Sequence, residues 1–172
     1  MDRLHRKYVE LKLILRSMES VAVAFSGGVD STFLLKAAVD TLGPDCVLGI
    51  IATSSTYPAR ELDDARLLAA EIGAKICSIE TDELSNPDFA SNPPDRCFHC
   101  KNGLLDIMIP LSTEKGLMHL VHGVNVDDLG DYRPGIAAAE MRGVRAPLKE
   151  AGLTKSEIRQ LSRELGLRSW DK

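Results

Sequence analysis

The chain has 172 residues, of which 44% are hydrophobic and 27% are charged, and its formal net charge at pH 7 is −4. That length is enough for one domain with a sizeable core, and the negative charge argues against a broad nucleic-acid-binding surface. No apolar run approaches the length of a membrane span, and the charged first residues do not resemble a signal peptide. We therefore expect a cytoplasmic protein whose four cysteines are thiols or ligands rather than disulfides.

Hydrophobic periodicity predicts helices that alternate with short strands. Apolar residues recur at helical spacing from Leu4 to Met18, which indicates an amphipathic first helix. Short apolar or alternating runs predict strands at residues 21–25, 46–53, 75–80 and 120–123. Further helices are predicted at residues 31–42, 59–72, 98–109 and 154–165, with a loop at 84–95 and a loop leading into a short helix at 131–139. This alternation indicates an α/β fold with an open, mainly parallel sheet and helices on both faces.

A glycine-rich segment, S-G-G-V-D-S at residues 26–31, lies between the first predicted strand and the helix that follows it. Backbone N–H groups at a helix N-terminus have no internal partner and carry partial positive charge, so this arrangement forms a pocket for an anion. The segment has no lysine and no G-x-G-x-x-G spacing, which excludes a Walker A loop and a dinucleotide fingerprint. The alternative interpretation is a glycine turn with a helix cap.

The carboxylate of Asp30 would repel a bound phosphate unless a divalent cation lay between them. Mg²⁺ prefers such an arrangement, with one or two carboxylates beside phosphate oxygens and water. Asp30 is therefore predicted to be a metal ligand and a catalytic residue. The predicted nucleotide contacts of this segment are Ser26, Gly27, Gly28, Val29, Asp30, Ser31 and Thr32.

Polar residues also follow two other predicted strands, at the same edge of the sheet, where open α/β sheets bind ligands. Thr53 and Ser54 end the second strand and suit either nucleoside recognition or a solvated strand end. After the fourth strand, Gly123 allows close approach to a ligand, and Asn125 and Asp128 are candidates for nucleotide binding. A turn rich in Gly, Asn and Asp is the alternative interpretation of this second segment.

Two charged residues downstream extend the same prediction. Asp127 is a candidate second metal ligand beside the fourth strand. Arg133, in the rigid turn Y-R-P-G, is a candidate for substrate binding and catalysis, because arginine binds carboxylate and phosphate in a bidentate fork.

A single C-x-x-C motif is formed by Cys97 and Cys100, with Arg96 and Lys101 on either side. A closed zinc site needs four ligands, and the other cysteines lie inside predicted strands, so no zinc is assigned. The pair is interpreted as iron–sulfur ligands, sulfur-handling thiols or structural thiols. The two basic neighbours are candidates for binding an anionic substrate.

The hexapeptide S-G-G-V-D-S resembles the PP-loop of the ATP pyrophosphatases, whose fold is adenine nucleotide alpha-hydrolase-like and Rossmann-like. The resemblance implies cleavage of ATP between the α and β phosphates, with Mg²⁺, to give pyrophosphate and an adenylated substrate. Together with P-P-D-R-C-F-H-C-K, D-D-L-G-D-Y-R-P-G, G-L-T-K and S-W-D-K, it resembles the ATP-dependent sacrificial sulfur transferases (LarE type) that help make a nickel-pincer cofactor.

That family resemblance implies adenylation of a carboxylate on a pyridinium mononucleotide, followed by attack of a cysteine thiolate on the acyl-adenylate. It also implies a homo-oligomer, and some members resemble cluster-dependent sulfur donors. In the family, W-D-K continues into a segment with the sulfur-donor cysteine and a smaller C-terminal domain. We therefore expect residues 1–172 to form a single PP-loop ATP-binding domain without the substrate and sulfur-donor domain.

Two other functions fit part of the pattern. An ammonia-using amide ligase of the NAD or GMP synthetase type would use the same loop, although no Cys/His glutaminase arrangement is evident. A nucleotide-binding module of the universal stress type would share a related sheet, but its phosphate loop does not resemble S-G-G-V-D-S.

Overall fold

The computed structural model describes residues 1–54, 58–81, 96–130 and 134–172, except the side chains of residues 96–102, 129, 130, 134 and 135. Four strands form one parallel sheet in the order β3-β2-β1-β4. They are β1 (Val21–Ala24), β2 (Val47–Thr53), β3 (Lys75–Glu80) and β4 (His119–Val121). The predicted parallel sheet is confirmed, and each strand begins and ends within two residues of its predicted bounds.

Seven α-helices surround the sheet in the described part of the chain. They are α1 (Arg3–Met18), α2 (Val29–Leu42), α3 (Ala59–Ile72), α4 (Arg96–Glu114), α5 (Pro134–Met141), α6 (Pro147–Glu150) and α7 (Lys155–Glu164). Helix α6 and the 3₁₀ turns Pro44–Cys46 and Val126–Gly130 were not predicted, because such short elements show no periodicity. None of the described helices has the length and apolar character needed to span a bilayer.

The two faces of the sheet carry separate hydrophobic cores. Successive strand residues point to opposite faces, so Val21 and Val23 of β1 pack with α1, α2, α3 and α7. Ala22 points to the other face and packs with Leu105 of α4 and Ala139 of α5. Helices therefore cover both faces, as the sequence pattern predicted.

Helix α4 is longer than its pattern indicated. The predicted helix covered residues 98–109, and the next residue is Pro110, which lacks the N–H that continues a helix. The helix instead runs through Pro110 to Glu114. Pro110 and Asp106, whose carbonyl loses its partner, are both exposed to water, and the hydroxyl of Ser112 donates to Ile109 O at 2.8 Å. The interruption is thus solvated, and the predicted C-terminus was wrong.

The strand order creates a crevice at the carboxyl edge of the sheet. β1 pairs with β2 on one side and with β4 on the other, so the connections after β1 and β4 diverge there. Gly123, two residues after the end of β4, lies against the first turn of α2. A Cβ atom at Gly123 would lie 3.0 Å from Ser31 N and 3.1 Å from Asp30 Cβ. A glycine is required here because the backbone of Asp30 and Ser31 and the Cβ of Asp30 leave no space for a side chain.

Substitution of Gly123 by Ala is expected to separate β4 from α2. Overpacking of this kind costs about 1–3 kcal/mol of unfolding free energy. The matched control is Gly103→Ala in α4, where an added Cβ meets nothing within 4 Å and should be neutral or stabilising. Urea denaturation of both variants checks the difference. Equal stability of the two variants would contradict the close contact.

The start of α7 is joined to α1 through one carboxylate. Glu157 N donates to Thr154 Oγ1 at 3.2 Å, and Thr154 N donates to Glu157 Oε1 at 3.0 Å, so the two residues form a capping box. The same Oε1 accepts from Lys7 Nζ at 2.7 Å. Burial raises the pKa of Glu157, but the hydrogen bonds from Lys7 and Thr154 outweigh it and hold that pKa below its ordinary value of 4.5.

A lowered pKa means that Glu157 stabilises the fold above pH 4.5, and that this contribution is lost as the pH falls through the folded-state value. Glu157→Gln should therefore lower the unfolding free energy by about 1 kcal/mol at pH 7. The difference in unfolding free energy from wild type should shrink as the pH falls through the folded-state pKa of Glu157. Urea denaturation at pH 7 and pH 3.5 measures the effect. The exposed Glu10 of α1 provides the control as Glu10→Gln. A gap that is independent of pH would exclude this role.

Candidate functional site

The S-G-G-V-D-S segment forms a tight turn between β1 and α2, closed by its own hydroxyl groups. Ser31 Oγ accepts from Ser26 N at 3.0 Å and lies 3.1 Å from Ser26 Oγ. Gly27 has a φ of 82°, and a Cβ atom there would lie 3.1 Å from Ala65 Cβ of α3. Gly28 is the N-cap of α2 and has no side chain to bind the first-turn N–H groups. The N-cap residue therefore provides no side-chain acceptor for these N–H groups, and an anion is the kind of ligand that helix N-termini accept.

A cavity of about 440 Å³ lies beside this loop, at the crevice between β1 and β4. Its lining includes Gly28 and the polar or charged residues Asp30, Ser31, Asp128 and Lys155. It also includes the apolar residues Ala24, Ala52, Leu104, Met108 and Ile136. A cavity lined by both kinds of residue suits a ligand that joins an anionic group to an uncharged ring.

Asp30 lines this cavity, and its two carboxylate oxygens differ in their hydrogen bonding. Its Oδ2 accepts from Lys155 Nζ at 2.6 Å. Its Oδ1 is buried and has no hydrogen-bond partner among the described residues. A buried carboxylate oxygen without a partner is costly, and a divalent cation would satisfy it. Asp30 therefore fits the metal-ligand role that the sequence predicted.

Lys155 was missed by sequence reasoning. It is the first residue of α7, directly after the capping residue Thr154, and it ends the G-L-T-K motif, to which the sequence analysis assigned no site role. Its backbone N donates to Asp127 Oδ2 at 2.8 Å, while its side chain reaches Asp30, 125 positions away in the chain. Only the packing of α7 against α2 brings this cation into the site.

The segment after β4 is held by its own side chains. Asn125 is buried, and its Oδ1 accepts from Asp127 N at 2.8 Å. Asp128 Oδ2 accepts from Asn125 N at 3.0 Å. Asn125 Nδ2 is buried without a hydrogen-bond partner in the described part of the chain. Asp128 and Gly123 line the cavity, whereas Asn125 and Asp127 do not.

At the end of β2, the hydroxyl of Thr53 is used within the sheet. Thr53 Oγ1 donates to Ile79 O at 3.2 Å, which ties its hydroxyl to the neighbouring strand. Neither Thr53 nor Ser54 lines the cavity, but Ala52 does. Thr32 of α2 is likewise away from the cavity, and its hydroxyl is fully buried.

Several predicted site residues lie outside the described residues. They are Arg133 and the side chains of Arg96, Cys97, Cys100 and Lys101, and the loop predicted at 84–95 is also outside. The roles predicted for them stay predictions. In the parts of the chain that are described, no cluster of His, Cys, Asp and Glu could hold a metal ion by itself.

A second network holds the loop from the side of α3, and sequence reasoning missed it. Lys172 Nζ donates to Gly27 O at 3.3 Å and also contacts Asp64 of α3. Arg168 bonds Asp64 at 2.9 Å and Glu71 at 3.0 Å. Hydrogen bonds from Lys172 and Arg168 hold the pKa of Asp64 below its ordinary value. The glycine turn is thereby tied to the residues that follow α7.

Comparison with known proteins identifies close relatives. The chain is 43% identical over 98% of its length to a protein of unassigned function from Synechocystis. It is 37% identical over its whole length to the pyridinium-3,5-bisthiocarboxylic acid mononucleotide synthase of Lactiplantibacillus plantarum. The chain covers 63% and 62% of these two relatives, so it spans about three-fifths of their length.

The fold has solved counterparts. The NH3-dependent NAD synthetase of Campylobacter jejuni superposes with a TM-score of 0.76 at 17% identity, over 98% of this chain and 75% of that one. Residues 3–91, more than half of the chain, match the family model for NAD synthase. The predicted adenine nucleotide alpha-hydrolase-like fold and the resemblance to PP-loop ATP pyrophosphatases are both confirmed. This chain therefore belongs to the NAD synthase family of PP-loop domains.

Proposed function

We propose that this chain binds Mg-ATP through residues 26–31 and adenylates a substrate carboxylate with release of pyrophosphate. We further propose that it is the ATP-binding part of a sulfur transferase acting on a pyridinium mononucleotide in nickel-pincer cofactor biosynthesis. The observation that carries the first proposal is the buried Oδ1 of Asp30, in the first turn of α2, which has no hydrogen-bond partner among the described residues. The second rests on the 37% identity to the Lactiplantibacillus plantarum enzyme.

Phosphate binding is the step for which this chain provides most groups. The first-turn N–H groups of α2 and the helix dipole attract the phosphate oxygens. The hydroxyl of Ser31 and the ammonium of Lys155 lie in the same cavity and can donate to the same oxygens. The apolar side chains of Leu104 and Met108, which line the same cavity, would contact the adenine ring.

Asp30 would hold Mg²⁺, which would supply charge neutralisation at the pyrophosphate leaving group. Asp127 enters this proposal differently from the sequence prediction. Because its Oδ2 binds the backbone N of Lys155, we assign it to the positioning of that lysine, and Asp128 is the second carboxylate that lines the cavity.

Adenylation is the reaction that we propose for this arrangement. A carboxylate oxygen of the substrate attacks the α-phosphorus, and the bond between that phosphorus and the α–β bridging oxygen breaks. The electron pair leaves with pyrophosphate, whose growing charge is stabilised by the α2 N–H groups and Lys155. The acyl-adenylate then carries AMP, a far better leaving group than carboxylate oxygen. A thiolate can displace it, and Arg133 remains the predicted substrate-binding and catalytic arginine.

An ammonia-using amide ligase is the second candidate, because the family model and the Campylobacter jejuni structure both belong to NAD synthetases. The two functions share the adenylation step and differ in the nucleophile that follows. Ammonia would give an amide, and a thiolate would give a thiocarboxylate.

Pyrophosphate release tests the function directly. We expect Mg-ATP to yield pyrophosphate when the chain is given a pyridinium biscarboxylate mononucleotide, and little without it. Added ammonium should not accelerate release or produce an amide if the sulfur-transferase assignment holds. Amide formation from nicotinic acid adenine dinucleotide would support the second candidate. Absence of ATP binding would reject both.

Asp30→Asn is expected to weaken Mg-ATP binding about tenfold or more, because the neutral amide is a much poorer ligand for a divalent cation. Isothermal titration with Mg-AMPPNP measures the change. Asp40→Asn, near the other end of α2 and paired with Lys36 at 3.2 Å, is the matched control and should bind as wild type does. If Asp30→Asn also binds as wild type does, the metal assignment fails.

A further inference from the structure

We propose that Lys155 competes with the divalent cation for Asp30 and so makes metal binding depend on nucleotide. This inference rests on the proposed binding of Mg-ATP and adds a rule for it. The metal binds weakly by itself, and ATP favours it by drawing the ammonium of Lys155 from the carboxylate to the phosphates.

The geometry places one carboxylate between two kinds of cation. Lys155 Nζ lies 2.6 Å from Asp30 Oδ2, while Asp30 Oδ1 is buried without a described partner. The side chains of Lys155 and Asp30 are 39% and 21% exposed, so both remain in reach of a ligand in the cavity. A cation bound at Oδ1 would therefore lie within a few ångströms of the ammonium.

Coulomb repulsion then opposes simultaneous occupancy. Two positive groups at about 4–5 Å in a partly buried site repel strongly enough to change cation affinity about tenfold or more. A triphosphate removes this penalty, because its oxygens accept from the ammonium in place of Asp30. By thermodynamic linkage, the metal must favour the nucleotide by the same factor as the nucleotide favours the metal.

The position of the lysine is set by the start of α7 and not by its flexible side chain. Asp127 Oδ2 holds the backbone N of Lys155 at 2.8 Å, and the Thr154–Glu157 capping box holds the preceding turn. The backbone of Lys155 is thus held in place, while the ammonium at the end of its side chain can move. Such a side chain can move between a carboxylate and a phosphate without a change in the backbone.

Lys155→Met should change two affinities in opposite directions. Mn²⁺ alone should bind about tenfold more tightly than to wild type, because the competing charge is removed. ATP in the presence of EDTA should bind about tenfold more weakly, because a phosphate donor is lost. Electron paramagnetic resonance of Mn²⁺ and titration calorimetry of ATP give the two values. A variant that was only damaged would lose both affinities.

Three controls separate charge from packing. Lys75→Met removes a comparable pair, at 2.7 Å from Asp45 at the other edge of the sheet, and should change neither affinity. Lys155→Arg keeps the charge and should keep Mn²⁺ binding weak. Lys155→Gln serves as the test if the methionine variant does not fold, as judged by circular dichroism.

The coupling itself is the decisive readout. The ratio of Mn²⁺ affinities with and without AMPPNP includes direct phosphate coordination in every variant, so that part cancels between wild type and Lys155→Met. We expect the ratio to fall about tenfold or more in the variant. Unchanged coupling, or Mn²⁺ binding no tighter than wild type, overturns the inference. If wild type binds no Mg-ATP, the proposed function itself fails.

Discussion

The contact of Gly123 with the first turn of α2 is the constraint on which the site depends. A Cβ atom at Gly123 would lie only 3.0–3.1 Å from backbone and Cβ atoms of residues 30 and 31, so the chain after β4 passes directly against α2. The segments that follow β1 and β4 are far apart in the sequence, and this contact brings them to one crevice. A larger residue at this position would move the two ends apart and open the cavity that lies between them.

Two lysines from outside the glycine loop contact groups of the loop at this crevice. Lys155 reaches Asp30 from α7, and Lys172 reaches the carbonyl of Gly27 from the residues beyond it. The turn itself supplies mainly backbone N–H groups and small hydroxyls. Its shape is therefore set by α3 and by the residues around α7.

Strands, helix starts and the glycine turn were predicted well because they follow from local rules. The Thr154–Glu157 capping box and the end of α3 at Gly73, which has a φ of 83°, involve only neighbouring residues. The C-terminus of α4 was predicted wrongly, because the cost of Pro110 depends on whether the freed carbonyl meets water. That depends on which side of the helix faces the core.

The sequence by itself determined the fold class and the glycine turn between β1 and α2, and it predicts a metal ligand at Asp30, since each of these depends on residue types within a few positions. Tertiary structure decided that Lys155 faces Asp30 and that Thr53 bonds the neighbouring strand. It also decided that Asp127 accepts from the backbone N of Lys155 at the start of α7. The Lys155–Asp30 pair spans 125 positions. No local propensity encodes a contact at that separation, because it results from packing α7 against α2 and placing both helix N-termini at one edge of the sheet.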